Sequence, residues 1–133
     1  MQRRKPSYQR ISCPNRKGDS MEDKQEPLTE SYFFILLCIY REPMHGYGIM
    51  QETLRLSGGR VAIGSGTMYG AVSNMIKKKW IVELQGKQPE DKKRRLYRLT
   101  ETGKEILLNE IERLKGLVAC AVRTVEADRG KEQ

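Results

Sequence analysis

The sequence predicts a mainly α domain with a small two-stranded β wing, continued by a long C-terminal helix. Three observations lead there. Helical apolar spacing recurs in three short stretches between Leu28 and Trp80. The spacing then changes to short runs of strand formers, IVELQ at Ile81–Gln85 and RLYRL at Arg95–Leu99. Beyond them, apolar residues from Leu107 to Val125 keep a period of about 3.5 residues.

A chain of 133 residues, 38% of them hydrophobic, suits one compact domain with an appendage. The formal charge of +8 favours a polyanionic partner, either nucleic acid or an acidic membrane surface. Its distribution is uneven. Residues 1–20 hold Arg3, Arg4, Lys5, Arg10, Arg16 and Lys17 against Asp19, which is +5 of the +8 and leaves +3 for 21–133. Residues 1–27 read as a disordered basic arm, because they are highly charged and nearly free of apolar periodicity. The part before Met21 reads as an upstream extension, so no functional argument rests on its charge.

Cys13, Cys38 and Cys120 have no short pairing, and His45 has no cysteine near it. No metal or cofactor is therefore expected, and the odd thiol count suggests reduced cysteines in the cytoplasm. No nucleophile lies near a base, and there are no paired carboxylates in an apolar setting and no phosphate loop. An enzyme is not expected.

The first helix is LTESYFFILLCIY, Leu28–Tyr40, with Thr29 placed to cap it and Pro43 to stop it. No polar residue occurs from Tyr32 to Tyr40. That run is too short for a bilayer, which needs about 20 apolar residues, so it must be covered by its own domain and by a second chain. The second helix begins at His45-Gly46-Tyr47 and ends at Gly58-Gly59, with Tyr47, Ile49, Met50 and Leu54 as its inner face. Val61 and Ile63 alternate with Ala62 and suggest a very short strand.

The third helix, in GSGTMYGAVSNMIKKKW from Gly64 to Trp80, organises the rest. Ser65 is the expected N-cap, which starts the helix at Gly66. Met68, Val72, Met75 and Ile76 share one stripe, and Gly66, Gly70, Ser73, Asn74 and Lys77 share the other. The outward face is small at its start, hydrogen-bonding in its middle and basic at Lys77, Lys78 and Lys79, a shape suited to a DNA groove. A plain solvated face explains the same residues if the helix is taken alone.

The wing joins Ile81–Gln85 to Arg95–Leu99 through GKQPEDKKR. Its cluster Lys92, Lys93, Arg94 and Arg95 either straddles a phosphate backbone or keeps an exposed edge soluble. Thr100 caps the last helix, in which Leu107, Ile111, Leu114, Val118, Ala121 and Val125 form a heptad seam. Gly103 and Gly116 are expected to weaken that helix by about 1 kcal/mol each relative to alanine. Three helices followed by a hairpin give a winged helix-turn-helix domain at 28–100, a dimerisation helix at 101–127 and a tail at 128–133.

The residues PMHGYGIM (Pro43–Met50), SGGR (Ser57–Arg60), SGTMYGAV (Ser65–Val72) and RRLYRLTETGKE (Arg94–Glu105) resemble the PadR-type transcriptional regulators. The resemblance implies a cytoplasmic, prokaryotic homodimer that binds double-stranded DNA, usually as a repressor, with the single C-terminal helix of the shorter subclass. It also implies a small hydrophobic or aromatic effector, since some relatives respond to phenolic acids or planar drugs. Family motif positions fall on Ser65, Gly66, Thr67, Met68 and Tyr69, and in the wing on Arg94, Arg95, Tyr97 and Leu99. Trp80 departs from the pattern, standing where relatives commonly end the helix with glycine.

The expected DNA contacts are Ser65, Gly66, Thr67, Tyr69, Gly70, Ser73, Asn74, Lys77 and Lys78, with Lys92, Lys93, Arg94 and Arg95 from the wing. The expected dimer contacts are Tyr32 and Leu36 with the seam Leu107, Ile111, Leu114, Val118, Ala121 and Val125. Two rivals remain: a dimeric protein-interaction module, and sequence-blind nucleic-acid binding through the basic arm.

Overall fold

A computed structural model gives the fold, describing residues 26–84 and 95–132. The elements in order are α1 (Glu30–Cys38), β1 (Met44–His45), α2 (Gly46–Leu56), α3 (Ser65–Lys77), β2 (Ile81–Leu84), β3 (Leu96–Leu99) and α4 (Glu101–Glu132). Contacts divide the chain into two units, Pro27–Leu108 and a second that includes Asn109–Gln133. Among the described residues no helix is long and apolar enough to cross a membrane, and no group of side chains could hold a metal ion.

The mainly helical architecture with a small sheet and a long last helix matches the fold class expected. The basic arm falls almost wholly outside the described residues. So do wing-tip residues 85–94, including Lys92, Lys93 and Arg94.

Thr29 does cap α1, its hydroxyl accepting from the Tyr32 N–H at 3.1 Å. Ile35, Leu36, Cys38 and Ile39 are buried, while Tyr32, Phe33 and Phe34 are half-buried. Leu36 has no exposed surface in a single chain. It therefore belongs to the core and has nothing to offer a partner, which corrects its placement among the dimer contacts.

The inner face of α2 also differs from expectation. Gly46, Ile49 and Thr53 are the buried positions, whereas Tyr47 is 66% and Leu54 42% exposed. Two small residues took places expected for large ones. A side chain on Gly46 would collide with the tips of Met68 and Tyr69 from α3. Thr53 tolerates burial because its hydroxyl lies 3.5 Å from the Cys38 sulfur. Burial is also the main cause that raises the Cys38 pKa, so this thiol stays protonated and unreactive.

The end of α2 is a Schellman motif: the Gly58 N–H donates to the Arg55 carbonyl and the Gly59 N–H to Leu54 at 2.8 Å. Both glycines have positive φ, and the ending requires it of Gly58, the residue after the cap. Val61–Ile63 is not a strand. Its first N–H is taken by the Ser57 hydroxyl at 2.9 Å, which ties the segment back to the end of α2.

The helix α3 starts one residue earlier than expected, with Gly64 as the N-cap and no side chain capping it. Met68, Ala71, Val72 and Met75 form its buried stripe. Its C-terminal end repeats the Schellman pattern, with the Lys79 N–H on Ile76 and the Trp80 N–H on Met75 at 2.9 Å. The left-handed residue is thus Lys79, at φ 65, and not Trp80. Tryptophan is tolerated because the strained position lies one residue before it. Replacing Lys79 with glycine is expected to raise stability by about 1 kcal/mol, because a side chain in that region costs about 1–2. A urea midpoint unchanged or lowered in Lys79→Gly would contradict this cap.

The sheet has three strands in the order β1-β3-β2, all antiparallel. The pair β2 and β3 is the expected wing, with Glu83 opposite Tyr97 and Ile81 opposite Leu99. The third strand, β1, sets Met44 opposite Tyr97. Sequence reasoning missed it, since two residues show no period.

Thr100 caps α4 as expected, its hydroxyl accepting from the Gly103 N–H at 3.0 Å. Gly103 has a further role that helix propensity did not suggest. A Cβ there would run into the backbone carbonyl of Trp80. Its missing side chain lets the start of α4 close against the end of α3.

Candidate nucleic-acid interface

One face of α3 is bare. Ser65, Gly66, Thr67, Tyr69, Gly70, Ser73 and Lys77 are all exposed, and a Cβ on Gly66 or Gly70 would meet nothing within 4 Å. Neither glycine is needed for packing among the described residues. Gly70, in the helix interior, weakens α3 by about 1 kcal/mol relative to alanine, and both glycines leave room for a close approach from outside.

The start of this face is favourable to anions. No side chain caps the first turn of α3, and its N–H groups carry the positive end of the helix dipole. The far end carries the cations Lys77, Lys78 and Lys79, all exposed. Lys78 lies over the Trp80 ring, 5.1 Å from its centroid. The cation–π contact holds the Lys78 ammonium beside the end of α3.

Asn74 behaves differently from the rest of the outward set. It is half-buried, and its Nδ2 donates to the Tyr32 hydroxyl of α1 at 2.9 Å. The Tyr32 ring in turn meets Trp80 edge-on, with centroids 6.4 Å apart. The expected base-reading amide therefore ties α3 to α1. From the other side Thr100 fixes the same end, its N–H donating to the Trp80 carbonyl at 3.0 Å and its hydroxyl to Lys79 at 2.7 Å. The bare face is braced by groups that do not lie on it.

In the wing, Arg95 pairs with Glu83 at 2.7 Å, so its charge is partly neutralised by the neighbouring strand. Tyr97 is buried, and burial, reinforced by the charge of Glu83, raises its phenol pKa. It remains a neutral core residue at physiological pH. Tyr69 is 42% exposed and leans over Gly46, with its hydroxyl close to that glycine.

The expected dimer residues separate by burial. Leu107, like Leu36, is buried and supports the chain internally, which corrects its place in the seam. Ile111 and Leu114 are half-buried. Val118 at 59% and Val125 at 50% are exposed with Ala121, and Leu117 and Val122 widen this strip.

A helix pair joined through a glycine turn, with the bare face of its second helix beside an antiparallel wing, defines the winged helix-turn-helix class. The chain belongs to the PadR-like family of transcriptional regulators, whose family model matches residues 35–109. Its relation to solved structures is one of fold. A transcriptional regulator from Clostridium thermocellum is 22% identical with a TM-score of 0.60, covering 70% of this chain and 89% of that one. A PadR family regulator from Clostridium difficile is 21% identical with a TM-score of 0.60, covering 73% and 99%. The Bacillus subtilis PadR solved in complex with operator DNA is 19% identical with a TM-score of 0.54, covering 65% and 48%. No curated protein matches the chain.

Proposed function

We propose that the chain binds duplex DNA in a sequence-specific manner as a homodimer and represses transcription by occupying a palindromic operator. The observation that carries this reading is the bare face of α3, where Gly66 and Gly70 serve no internal packing and Lys77 extends beyond them. The family membership and the operator-bound Bacillus subtilis PadR support the same reading.

Bases are read by Ser65, Thr67 and Ser73, with Tyr69, Lys77 and Lys78 on phosphates. Lys92, Lys93 and Arg94 of the wing tip add phosphate contacts, and Arg95 supports the wing through Glu83. The second chain joins along the exposed strip from Leu117 to Val125, because apolar side chains at heptad spacing gain by mutual burial. The two α3 helices then lie in successive major grooves, about 34 Å apart. A small aromatic effector acts by favouring another separation, which requires unequal affinity for the two. Calorimetry with phenolic acids tests this step.

Titration of a selected duplex at several salt concentrations tests the function itself. Binding should prefer that duplex to random DNA and weaken steeply with salt. Lys77→Gln with Lys78→Gln should lower the slope of log affinity against log salt by about 2, since each phosphate contact contributes about 0.9. A dimer in sedimentation and a preference for one duplex are the expected results. A monomer indifferent to DNA sequence would remove the proposal.

A further inference from the structure

We infer that Tyr32 is a positioning residue for DNA recognition, acting through Asn74 and Trp80 to fix the C-terminal half of α3. The inference rests on the DNA-binding reading and goes beyond it, because neither Tyr32 nor Asn74 is placed on the recognition face.

Three observations converge on this residue. The Asn74 Nδ2 donates to its hydroxyl at 2.9 Å, a bond that crosses from α3 to α1. Its ring meets the Trp80 ring edge-on at 6.4 Å. Trp80 in turn carries the Lys78 ammonium 5.1 Å above its ring. One side chain on α1 thus meets the middle of α3 and Trp80 just beyond its end, and Trp80 in turn meets Lys78.

Asn74 and Tyr32 are both half-buried, so water could satisfy either group. What the direct bond adds is geometry. Asn74 follows Ser73 and precedes Lys77 by less than one turn, so anchoring its amide fixes the rotation of the helix about its own axis. A rotation of that kind would move Ser73 and Lys77 sideways across a groove, changing which base edges they meet while leaving phosphate attraction nearly intact. Sequence preference should therefore depend on the Tyr32 hydroxyl more than affinity does.

Tyr32→Phe removes the hydroxyl and keeps the ring against Trp80. Trp80 is the sole tryptophan, so its emission reports directly whether that ring contact survives. Affinities of wild type, Tyr32→Phe, Asn74→Ala and the double variant are measured on the selected duplex and on random DNA, with thermal midpoints and salt slopes.

In both single variants, the preference for the selected duplex should fall roughly threefold to tenfold, the worth of one such hydrogen bond. The double variant should lose no more than either single one. Salt slopes should stay as in wild type, and emission of Tyr32→Phe should match it. Retained preference in Tyr32→Phe with a lowered midpoint would make the bond merely structural and overturn the inference. A loss in Asn74→Ala alone would mean that Asn74 reads a base directly, which also overturns it. Wild type without preference for any duplex would instead remove the DNA-binding reading and this role with it.

Discussion

Gly103→Ala is expected to destabilise Pro27–Leu108 by about 3 kcal/mol and to lower its thermal midpoint by roughly 15 °C. Two effects compete in this substitution, and they have opposite signs. Helix propensity alone favours alanine over glycine by about 1 kcal/mol inside a helix such as α4. The geometry opposes it, because the new methyl would overlap the Trp80 carbonyl and approach Leu99 Cδ1 at 2.9 Å. A leucine tip can turn aside, but a backbone carbonyl cannot.

That carbonyl also accepts from the Thr100 N–H at 3.0 Å and lies 2.9 Å from the Thr100 hydroxyl. Moving it weakens both bonds together with the overlap. Gly116 provides the contrast within the same helix, since a Cβ there meets nothing within 4 Å. Gly116→Ala should therefore follow propensity and stabilise by about 1 kcal/mol. Circular dichroism melts of the two variants decide the matter. Equal shifts of the same sign would show that the close approach of Gly103 to Trp80 is absent in solution.

Most of the architecture was readable where a segment announces itself locally. Thr29 and Thr100 were recognisable as caps, and Gly58-Gly59 as a helix end, because those structures depend on a few adjacent residues. The buried stripe Met68, Val72 and Met75 was recognisable for the same reason: helical spacing is a local property.

Most of the misreadings involve contacts between distant segments. Tyr47 and Leu54 were placed inward on hydrophobicity. The interior at that point instead admits only Gly46 beneath Met68 and Tyr69, and Thr53 beside Cys38. Met44–His45 became a strand only because β3 offers it a free edge. Asn74 looked like an outward polar residue until α1 supplied a hydroxyl from far along the chain. Lys79, and not Trp80, takes the left-handed conformation because α3 ends one residue sooner than the glycine of relatives suggested. For the site, the exposed glycines and lysines of α3 were legible from spacing, whereas the groups that hold them in place were not.

Gly70→Leu should separate recognition from folding more sharply than any charge change. The position faces open space within the chain, and leucine is a better helix former than glycine by nearly 1 kcal/mol. The variant should accordingly melt at or above the wild-type temperature. Its affinity for the selected duplex should nevertheless fall by about 100-fold or more, since good base contacts are worth about 1–3 kcal/mol each and several are lost together. The cause is distance. A leucine between α3 and the groove floor holds Thr67, Ser73 and Lys77 away from their partners.

Gly70→Ala, with one methyl, should fall between the two. Weak attraction to random DNA should persist in both variants, because the lysines at the end of α3 still neutralise phosphates. This ordering distinguishes groove insertion from simple charge attraction, which a change of shape without charge would leave untouched. A stable Gly70→Leu that still prefers the selected duplex as wild type does would show that α3 is not the element that enters the groove.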